Sequence, residues 1–366
     1  MKPLVLNIPT IAVTGSAGKT TTKEMIASVL QVKWNTFKSK KTRNQRYHTR
    51  LHAKQIKPRH QAVVLEFGLG RKNAGKIHCR YIQPNIGVIT NVGSAHFGML
   101  GNSIKSTAEY KSALIRYMKP NGILLINRDD KNSELLQTKN FKGEIITVGI
   151  NNKADYQAED VKYLDKGMSF KVKLDDKIKK FFLPAFGLYN VVNALFAIAI
   201  SYRLKFKPSE IRAGLKKYRA PNCRFNLIKL RDQSFLIDDT YNSNPEAVKA
   251  AVDTLLKLGK EKKKIAVLGS MLELGRYSSK GHEEVGKYLS KKVDVICSFG
   301  KRAEYIKTGA VNEGHKKVVH FNNRKDLHRW LKKNIGPSTI ILVKGSNRMR
   351  MRETVNYLKN NFQGSR

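Results

Sequence analysis

The stretch Thr14-Gly15-Ser16-Ala17-Gly18-Lys19-Thr20 decides the fold of this chain, because it joins a short apolar run to a helical pattern. The apolar run Ile11–Val13 predicts a strand, and the apolar positions within Met25–Leu30 recur at helical spacing. A glycine-rich turn between a strand and a helix N-terminus directs several backbone N–H groups at one point. With a lysine ammonium beside them, these groups predict a site for a polyphosphate.

Each residue type in this loop has a physical reason. Glycine lacks a Cβ atom, so the backbone can approach a phosphate closely. A threonine hydroxyl after the lysine can contact Mg²⁺. The longer G-x-x-x-x-G-K-[ST] pattern would place glycine at position 13, where this chain has Val13. The residues predicted to contact the nucleotide are Gly15, Ser16, Ala17, Gly18, Lys19, Thr20 and Thr21.

Length and composition restrict the class of protein. With 366 residues the chain is long enough for two domains. It contains no apolar run of the roughly 20 residues that a membrane span requires. Met1-Lys2-Pro3 leads almost directly into the first predicted strand, so no signal peptide is expected. Three widely spaced cysteines favour a reducing, cytoplasmic setting over a disulfide framework or a zinc site.

The net charge of +42 indicates a polyanionic partner or a general compositional bias of the source proteome. The densest run, Lys33–Arg59, holds ten Lys/Arg residues and no acidic residue. Trp34, Phe37 and Tyr47 are interleaved with these cations, as in a stacking surface for nucleic acid. An anionic substrate, a nucleic acid and an anionic lipid surface all remain possible partners from this run.

Two series of β-rich apolar runs, separated by helical patterns, predict an α/β protein with parallel sheets. Residues 151–182 alternate charged and apolar positions, as antiparallel strands of a small side sheet would, and Leu188–Tyr202 predicts a buried helix. A break near Ala220-Pro221-Asn222 divides the chain into predicted domains at 1–219 and 220–366. The predicted strands are Ile11–Thr14, Ala62–Glu66, Ile86–Thr90, Ile123–Ile126 and Ile145–Val148, then Phe235–Asp238, Ile265–Gly269, Val293–Phe299, Lys317–Phe321 and Thr339–Lys344.

Further motifs follow the loop in a fixed order, and together they resemble the Mur ligases. The likeness covers nearly the whole chain and is strongest to the branch that adds D-alanyl-D-alanine to the peptidoglycan precursor. The motifs are Val64-Leu65-Glu66-Phe67-Gly68, Thr90-Asn91-Val92-Gly93-Ser94-Ala95-His96, Phe186-Gly187-Leu188-Tyr189-Asn190-Val191-Val192-Asn193, Asp238-Asp239-Thr240-Tyr241-Asn242-Ser243-Asn244-Pro245, Met271-Leu272-Glu273-Leu274-Gly275 and Val343-Lys344-Gly345-Ser346.

The resemblance implies a P-loop ATP-binding central domain, a Rossmann-like C-terminal domain and ATP-dependent amide-bond formation. ATP would phosphorylate a carboxylate, and an amino acid or peptide amine would attack the acyl phosphate, leaving ADP and phosphate. Lys19, Glu66, His96 and Lys111 would be catalytic, with Lys111 carboxylated by CO₂. Thr20, Glu66 and His96 would hold Mg²⁺. Asn193, Arg224 and Asp239 would contact the nucleotide, and Arg43, Asn44, Arg46, Asn242, Asn244 and Lys344 the other substrates.

Departures from the family pattern leave the acceptor open. Relatives carry a preceding domain that grips a UDP-sugar, and this chain is expected to lack it. Tyr189 stands where many relatives have His, Ser270 where Asp is common, and Arg352 where Glu is usual. The main interpretation is therefore an ATP-dependent ligase joining an anionic carboxylate to an amine. Addition of D-alanyl-D-alanine to a peptidoglycan precursor and a nucleic-acid-associated P-loop protein are the alternatives.

Overall fold

The computed structural model describes residues 4–363, which form two compact units. The first unit comprises the chain up to Gly93 together with Met99–Arg219, and the second comprises Ser94–Gly98 and the chain from Ala220 onward. The expectation for Met1-Lys2-Pro3, and the outer ends of both predicted domains, lie outside the described residues.

The first unit alternates strands and helices up to residue 149, continues with three strands and ends on two helices. In chain order its elements are β1 (Leu4–Val5), β2 (Thr10–Thr14), α1 (Lys19–Leu30), β3 (Thr36–Lys38), α2 (Arg46–Gln55), β4 (Ala62–Glu66), α3 (Ala74–Tyr81), β5 (Ile82–Gln83), β6 (Ile86–Ile89), α4 (Ile104–Tyr117), β7 (Ile123–Asn127), β8 (Glu144–Gly149), β9 (Tyr156–Leu164), β10 (Gly167–Leu174), β11 (Lys177–Leu183), α5 (Leu188–Arg203) and α6 (Pro208–Lys217).

A nine-stranded sheet organises this unit, in the order β11-β10-β9-β8-β7-β6-β2-β4-β3. The six neighbouring strands β3, β4, β2, β6, β7 and β8 are parallel. Every residue of β2, β4 and β6 is buried. Apolar residues on both faces of a strand are typical of a parallel sheet covered by helices. The register pairs Val13 with Glu66 and Thr14 with Ile89, so the carboxyl ends of three neighbouring strands meet at one edge.

The alternating segment predicted over 151–182 forms antiparallel strands, as its pattern indicates. Phe170 and Phe181 are buried and stack on each other, while lysines occupy the exposed positions. These strands join the parallel part through two residue pairs between β8 and β9, so they extend the large sheet. The helix predicted at Leu188–Tyr202 is α5, which is buried along most of its length.

The second unit contains a six-stranded sheet in the order β12-β13-β17-β14-β15-β16, parallel except for β12 against β13. Its five parallel strands lie at the predicted positions to within two residues, the antiparallel edge strand β12 was not predicted, and the α/β fold class is confirmed. Its elements are β12 (Asn226–Lys229), β13 (Phe235–Asp239), α7 (Pro245–Gly259), β14 (Lys263–Gly269), α8 (Ser278–Leu289), β15 (Val295–Phe299), α9 (Glu304–Asn312), β16 (Val318–Phe321), α10 (Arg324–Asn334), β17 (Thr339–Lys344) and α11 (Arg352–Phe362).

No helix within residues 4–363 is both long and apolar enough to cross a bilayer.

The contact between α1 and α6 makes a stability prediction. A Cβ atom at Gly214 would lie 2.4 Å from Val29 Cα and 3.0 Å from Ser28 O, both backbone atoms. Overpacking of this kind costs about 1–3 kcal/mol, whereas Gly to Ala in a helix gains about 1 kcal/mol. We therefore expect Gly214→Ala to lower the free energy of unfolding by up to about 2 kcal/mol in urea denaturation. Gly336→Ala is the control, since a Cβ there meets no atom within 4 Å; equal stability of the two variants would contradict the packing argument.

Candidate active site

The loop between β2 and α1 has a backbone that requires glycine. Gly15 has φ 141° and Gly18 has φ 79°, and Gly18 immediately precedes the first residue of α1. A Cβ atom at Gly15 would lie 1.9 Å from Thr90 Oγ1, and one at Gly18 would lie 2.7 Å from Asn193 Oδ1. The predicted loop therefore requires glycine at both positions and packs against Thr90 after β6 and Asn193 on α5, while phosphate binding stays a prediction.

Asn91 holds this loop in place, although the motif analysis assigned it no role. Its side-chain oxygen accepts hydrogen bonds from Ser16 N at 3.0 Å and from Ala17 N at 2.9 Å. The neighbouring Thr90 hydroxyl donates to Ala17 O at 2.5 Å. The signal that could have found Asn91 is its place directly after the β6 run, since the carboxyl ends of adjacent parallel strands lie side by side.

Lys19 and Thr20 begin α1 and face the loop and the end of β4, respectively. The Lys19 ammonium donates to Gly15 O at 2.8 Å. The Thr20 hydroxyl donates to Glu66 Oε2 at 2.8 Å. The next residue, Thr21, is also buried. A cation and a hydroxyl at the helix N-terminus are the groups that bind a phosphate and its metal ion.

Glu66 is the point at which the loop, β4 and the basic run meet. It is buried, and its second carboxylate oxygen accepts from Asn44 Nδ2 at 2.7 Å. Its backbone N–H donates to Ser39 Oγ at 3.1 Å. The structure thus brings together the predicted residues Thr20, Asn44 and Glu66.

The basic run folds into β3, a connecting segment and α2. Arg43 and Arg50 are exposed, while Arg46 is partly buried at the start of α2. Burial and then the charge of Arg43 lower the pKa of His48 below its usual value. Arg43 immediately precedes Asn44 in the sequence, and Asn44 bonds to Glu66.

Lys111 on α4 is buried, with 1% of its surface exposed, and its ammonium donates to Leu69 O at 3.1 Å. Burial, and after it the positive charge of Lys19, lower the pKa of Lys111 from 10.5 to about 7. A substantial fraction of this amine is therefore neutral near pH 7, unlike a surface lysine. The charge of Lys19 is therefore near enough to Lys111 to act on it electrostatically.

Asn193 lies behind the start of α1. Its side-chain oxygen accepts from the Thr22 hydroxyl at 3.0 Å, and its amide donates to Asn190 Oδ1 at 3.2 Å. These bonds connect α5 to the P-loop helix, and the predicted contact of Asn193 with adenine stays a prediction.

In the second unit, Asp239 and Lys344 end the adjacent strands β13 and β17 in register. The Lys344 ammonium donates to Asp239 Oδ2 at 2.6 Å and to Asn242 O at 2.8 Å, and only 3% of its side chain is exposed. Phe225 N donates to the other carboxylate oxygen of Asp239 at 3.2 Å. The predicted nucleotide and substrate residues Asp239, Asn242 and Lys344 thus form one cluster.

Two further predicted residues of this unit have identified neighbours. The Arg224 guanidinium lies 3.8 Å from the centre of the Tyr241 ring, which is a cation–π contact. The side chain of Asn244 accepts from Ala247 N at 2.8 Å and caps α7. Asn244 therefore has a structural role in addition to its predicted substrate contact.

The segment Ser94–Gly98 is held within the second unit by two carboxylates. Ser94 Oγ donates to Glu246 Oε2 at 2.7 Å, and His96 Nδ1 pairs with Glu273. The hydrogen bond to His96 lowers the pKa of Glu273. In residues 4–363, no three of the His, Cys, Asp and Glu side chains are grouped as a metal site. A metal-binding role for His96 with Glu66 stays a prediction.

A cavity of about 300 Å³ opens in the second unit, lined in part by the motif residues Leu272–Gly275. Its polar groups include two guanidinium groups, one carboxylate and a hydroxyl at the start of α8. Ser278 is 5% exposed, and its Oγ has no hydrogen-bond partner among the described residues. The lining residues are Leu272, Glu273, Leu274, Gly275, Ser278, Arg302 and Arg348.

The chain matches known protein families along most of its length. The Mur ligase middle domain matches residues 13–201, and the Mur ligase glutamate ligase domain matches residues 223–347. The UDP-N-acetylmuramoyl-tripeptide–D-alanyl-D-alanine ligase of Bacillus subtilis is 34% identical over 94% of this chain and 74% of that protein. The Haemophilus influenzae enzyme of the same name is 28% identical over 98% of this chain and 78% of that protein.

Solved structures show the same likeness. A crystal structure of MurF from Acinetobacter baumannii matches with a TM-score of 0.88 and 27% identity, covering 96% of this chain and 77% of that chain. MurF ligase from Thermotoga maritima in complex with ADP matches with a TM-score of 0.85 and 25% identity, covering 96% and 80%. With two family models matched in order and a phosphate loop in the expected conformation, the chain belongs to the Mur ligase family and is an ATP-dependent carboxylate–amine ligase.

Proposed function

We propose that this ligase joins D-alanyl-D-alanine to the terminal carboxylate of a UDP-N-acetylmuramoyl tripeptide. The two relatives from Bacillus subtilis and Haemophilus influenzae carry this activity in their names and align over 94% and 98% of this chain. Addition of D-alanyl-D-alanine to a peptidoglycan precursor, an alternative from the sequence, thereby becomes the favoured reaction. Other anionic carboxylates, considered from the sequence, become the competing acceptors in the assay.

The observation that carries the proposal is the cluster around Glu66 beside the phosphate loop. Its carboxylate bonds to Thr20 at the helix N-terminus and to Asn44 on the segment leading to Arg43 and Arg46. One buried side chain therefore connects the nucleotide side of the site with a cationic segment. A cationic segment next to the phosphate loop is what the capture of a carboxylate for phosphorylation requires.

ATP supplies the phosphoryl group that converts the acceptor carboxylate into an acyl phosphate. The Gly15 and Gly18 positions, where a Cβ atom would collide, fit a backbone that surrounds a polyphosphate. We propose that the Lys19 ammonium stabilises the charge on the transferred group. Thr20 Oγ1 and Glu66 Oε2, 2.8 Å apart, are hard oxygen ligands suited to one Mg²⁺ ion.

We propose that Lys111 carries a carbamate formed with CO₂. Only a neutral amine reacts with CO₂, and the burial of Lys111 favours the neutral form. The carbamate would give the Lys111 side chain a negative charge in place of a neutral or positive amine. Such an anion can help to hold the divalent ion that accompanies the phosphates.

We propose that the amine substrate binds in the cavity of the second unit. A dipeptide at neutral pH has one carboxylate and one ammonium group. Arg302 and Arg348 match the carboxylate, Glu273 matches the ammonium, and the Ser278 hydroxyl lacks a partner among the described residues. The leucines at 272 and 274 provide an apolar wall for methyl side chains.

The nucleic-acid alternative is weakened by how the basic run packs. Trp34 lies edge-on to Phe206, and Phe37 makes ring contacts with His52 and His60. Tyr47 is the one of the three predicted stacking residues that is largely exposed, at 62%. A single ring offers little stacking surface for successive bases.

The cytoplasmic setting expected from composition also stays a proposal. It is supported by the three cysteines, Cys79, Cys223 and Cys297, all of which are free and buried.

The overall reaction and the role of Lys19 can be tested together. We expect ADP release by the wild-type protein to require both a UDP-N-acetylmuramoyl tripeptide and D-alanyl-D-alanine. Lys19→Ala should lower kcat by about 100-fold or more, because the charge on the transferred phosphoryl group loses its counter-ion. Its thermal midpoint should stay near the wild-type value. The readout is coupled ADP release with mass analysis of the product.

The matched control for Lys19 is Lys76→Ala, at an exposed position of α3. Full activity of Lys19→Ala would refute the phosphate-loop assignment. Turnover with a different carboxylate or amine, and none with the proposed pair, would refute the substrate assignment alone.

The carbamate makes a separate prediction at Lys111. Activity of the wild-type protein should increase as the pH rises through about 7, because the neutral amine that reacts with CO₂ becomes more abundant. It should also fall after removal of CO₂. Lys111→Ala should lose activity and regain part of it with added short carboxylic acids, which replace the missing anion. Lys105→Ala, exposed on the same helix, is the control; an active Lys111→Ala enzyme without any rescue effect would exclude the carbamate.

The cavity predicts a selective loss of amine binding. Arg302→Ala and Arg348→Ala should each raise the KM for D-alanyl-D-alanine about tenfold or more, because a carboxylate loses a charge-assisted hydrogen bond. The KM for ATP should stay within about twofold. Arg329→Ala, on the exposed face of α10, is the control. An unchanged KM for the dipeptide in both cavity variants would place the amine elsewhere.

A further inference from the structure

Lys23 is a buried cation that the family motifs leave without a role. It lies on α1, one helical turn after Lys19, and none of its surface is exposed. A fully buried lysine is uncommon unless its charge is paired and its donors are satisfied. The position of Lys23 therefore calls for a compensating interaction.

The compensation comes from the segment between β3 and α2, residues 39–45, here called the acceptor segment. The Lys23 ammonium donates to Ser39 O and to Lys41 O, each at 2.7 Å. It also pairs with Glu24 at 2.7 Å. These three contacts match the three donors of an ammonium group.

Glu24 links this buried pair to a second lysine. Lys38 on β3 lies 2.5 Å from the other carboxylate oxygen of Glu24, and its side chain is 37% exposed. Burial would raise the pKa of Glu24, but the charges of Lys23 and Lys38 lower it below its usual value. Glu24 is therefore held in its charged form between the two lysines.

The acceptor segment carries the residues that meet Glu66. Ser39 Oγ accepts from Glu66 N, and Asn44 Nδ2 donates to Glu66 Oε1 at 2.7 Å. Asn44 O accepts from Gly68 N at 2.9 Å. Lys41, whose carbonyl is bound by Lys23, has φ 48°, a left-handed conformation that is unfavourable without tertiary contacts. The turn in the segment thus coincides with the Lys23 anchor.

We propose that Lys23 is a positioning residue, whose ammonium fixes the acceptor segment to the P-loop helix and so sets Asn44 and Arg43 for the carboxylate substrate. The inference rests on the proposed function, because it assumes that the acceptor segment binds the UDP-N-acetylmuramoyl tripeptide. It extends that function by naming the group that couples the nucleotide helix to the acceptor side of the site. Lys23 acts through the segment and contacts no substrate in this scheme.

The test is Lys23→Met, which keeps the length and apolar stem of the side chain and removes the three donors. We expect the KM for the UDP-N-acetylmuramoyl tripeptide to rise about tenfold or more, while the KM for ATP stays within about twofold. Hydrogen–deuterium exchange of the substrate-free protein should show faster exchange in residues 39–45 and unchanged protection in α1.

Three variants serve as controls. Lys38→Met removes the other lysine of Glu24 and leaves the bonds to Ser39 O and Lys41 O, so its exchange pattern and acceptor KM should resemble the wild type. Lys23→Arg keeps the charge and should restore part of the acceptor KM. Asn44→Ala should raise the acceptor KM without changing exchange in the acceptor segment. If Lys23→Met does not fold, Lys23→Gln, which keeps one donor group, replaces it.

Three outcomes would overturn the proposal. Unchanged exchange in residues 39–45 would show that Lys23 does not anchor the segment. Faster exchange with equal increases in both KM values would indicate a general disturbance of α1. If the segment is released but neither Lys23→Met nor Asn44→Ala changes the acceptor KM, the positioning role is wrong because the acceptor binds elsewhere. That last result would contradict the proposed acceptor site, while the exchange data would still establish the anchor.

Discussion

The close approach of the phosphate loop to the end of β6 is the constraint on which the first unit depends. A Cβ atom at Gly15 would lie 1.9 Å from Thr90 Oγ1, so the loop can pass this strand only as glycine. Once there, it is fixed by Asn91, whose side chain accepts from the amides of Ser16 and Ala17. The position of α1, with Lys19 and Thr20 at its start, follows from this contact, and so does the bond from Thr20 to Glu66.

Two buried lysines of the first unit satisfy their charge in different ways. Lys23 has two carbonyl acceptors and a carboxylate, which suit a charged ammonium. The Lys111 ammonium donates to Leu69 O, and burial lowers the pKa of Lys111 to about 7. Burial of a charge is costly without partners, so three acceptors stabilise the Lys23 ammonium, while a substantial fraction of the Lys111 amine is neutral near pH 7. This difference separates an anchor from a reactive nitrogen.

The second unit uses its parallel register in the same manner as the first. Asp239 and Lys344 are paired residues of adjacent strands, so their charged groups meet at the carboxyl edge of the sheet. The cavity formed by the segment Leu272–Gly275 with Arg302 and Arg348 is built from segments that follow β14, β15 and β17. Binding groups that lie at the carboxyl ends of parallel strands are typical of open α/β sheets.

The sequence by itself determined the α/β class, the positions of the buried apolar strands and the glycine-rich loop, because apolar periodicity and a glycine-rich turn are local properties of the chain. The short strands β3 and β12 were not predicted. It also pointed to Glu66, Lys111, Asp239 and Lys344 through short motifs. Only the tertiary structure decided which of these side chains meet. The roles of Asn91 and Lys23, the pairing of His96 with Glu273 and the unpartnered Ser278 hydroxyl depend on residues far apart in the chain. Such contacts are set by strand order and packing, which local patterns do not encode.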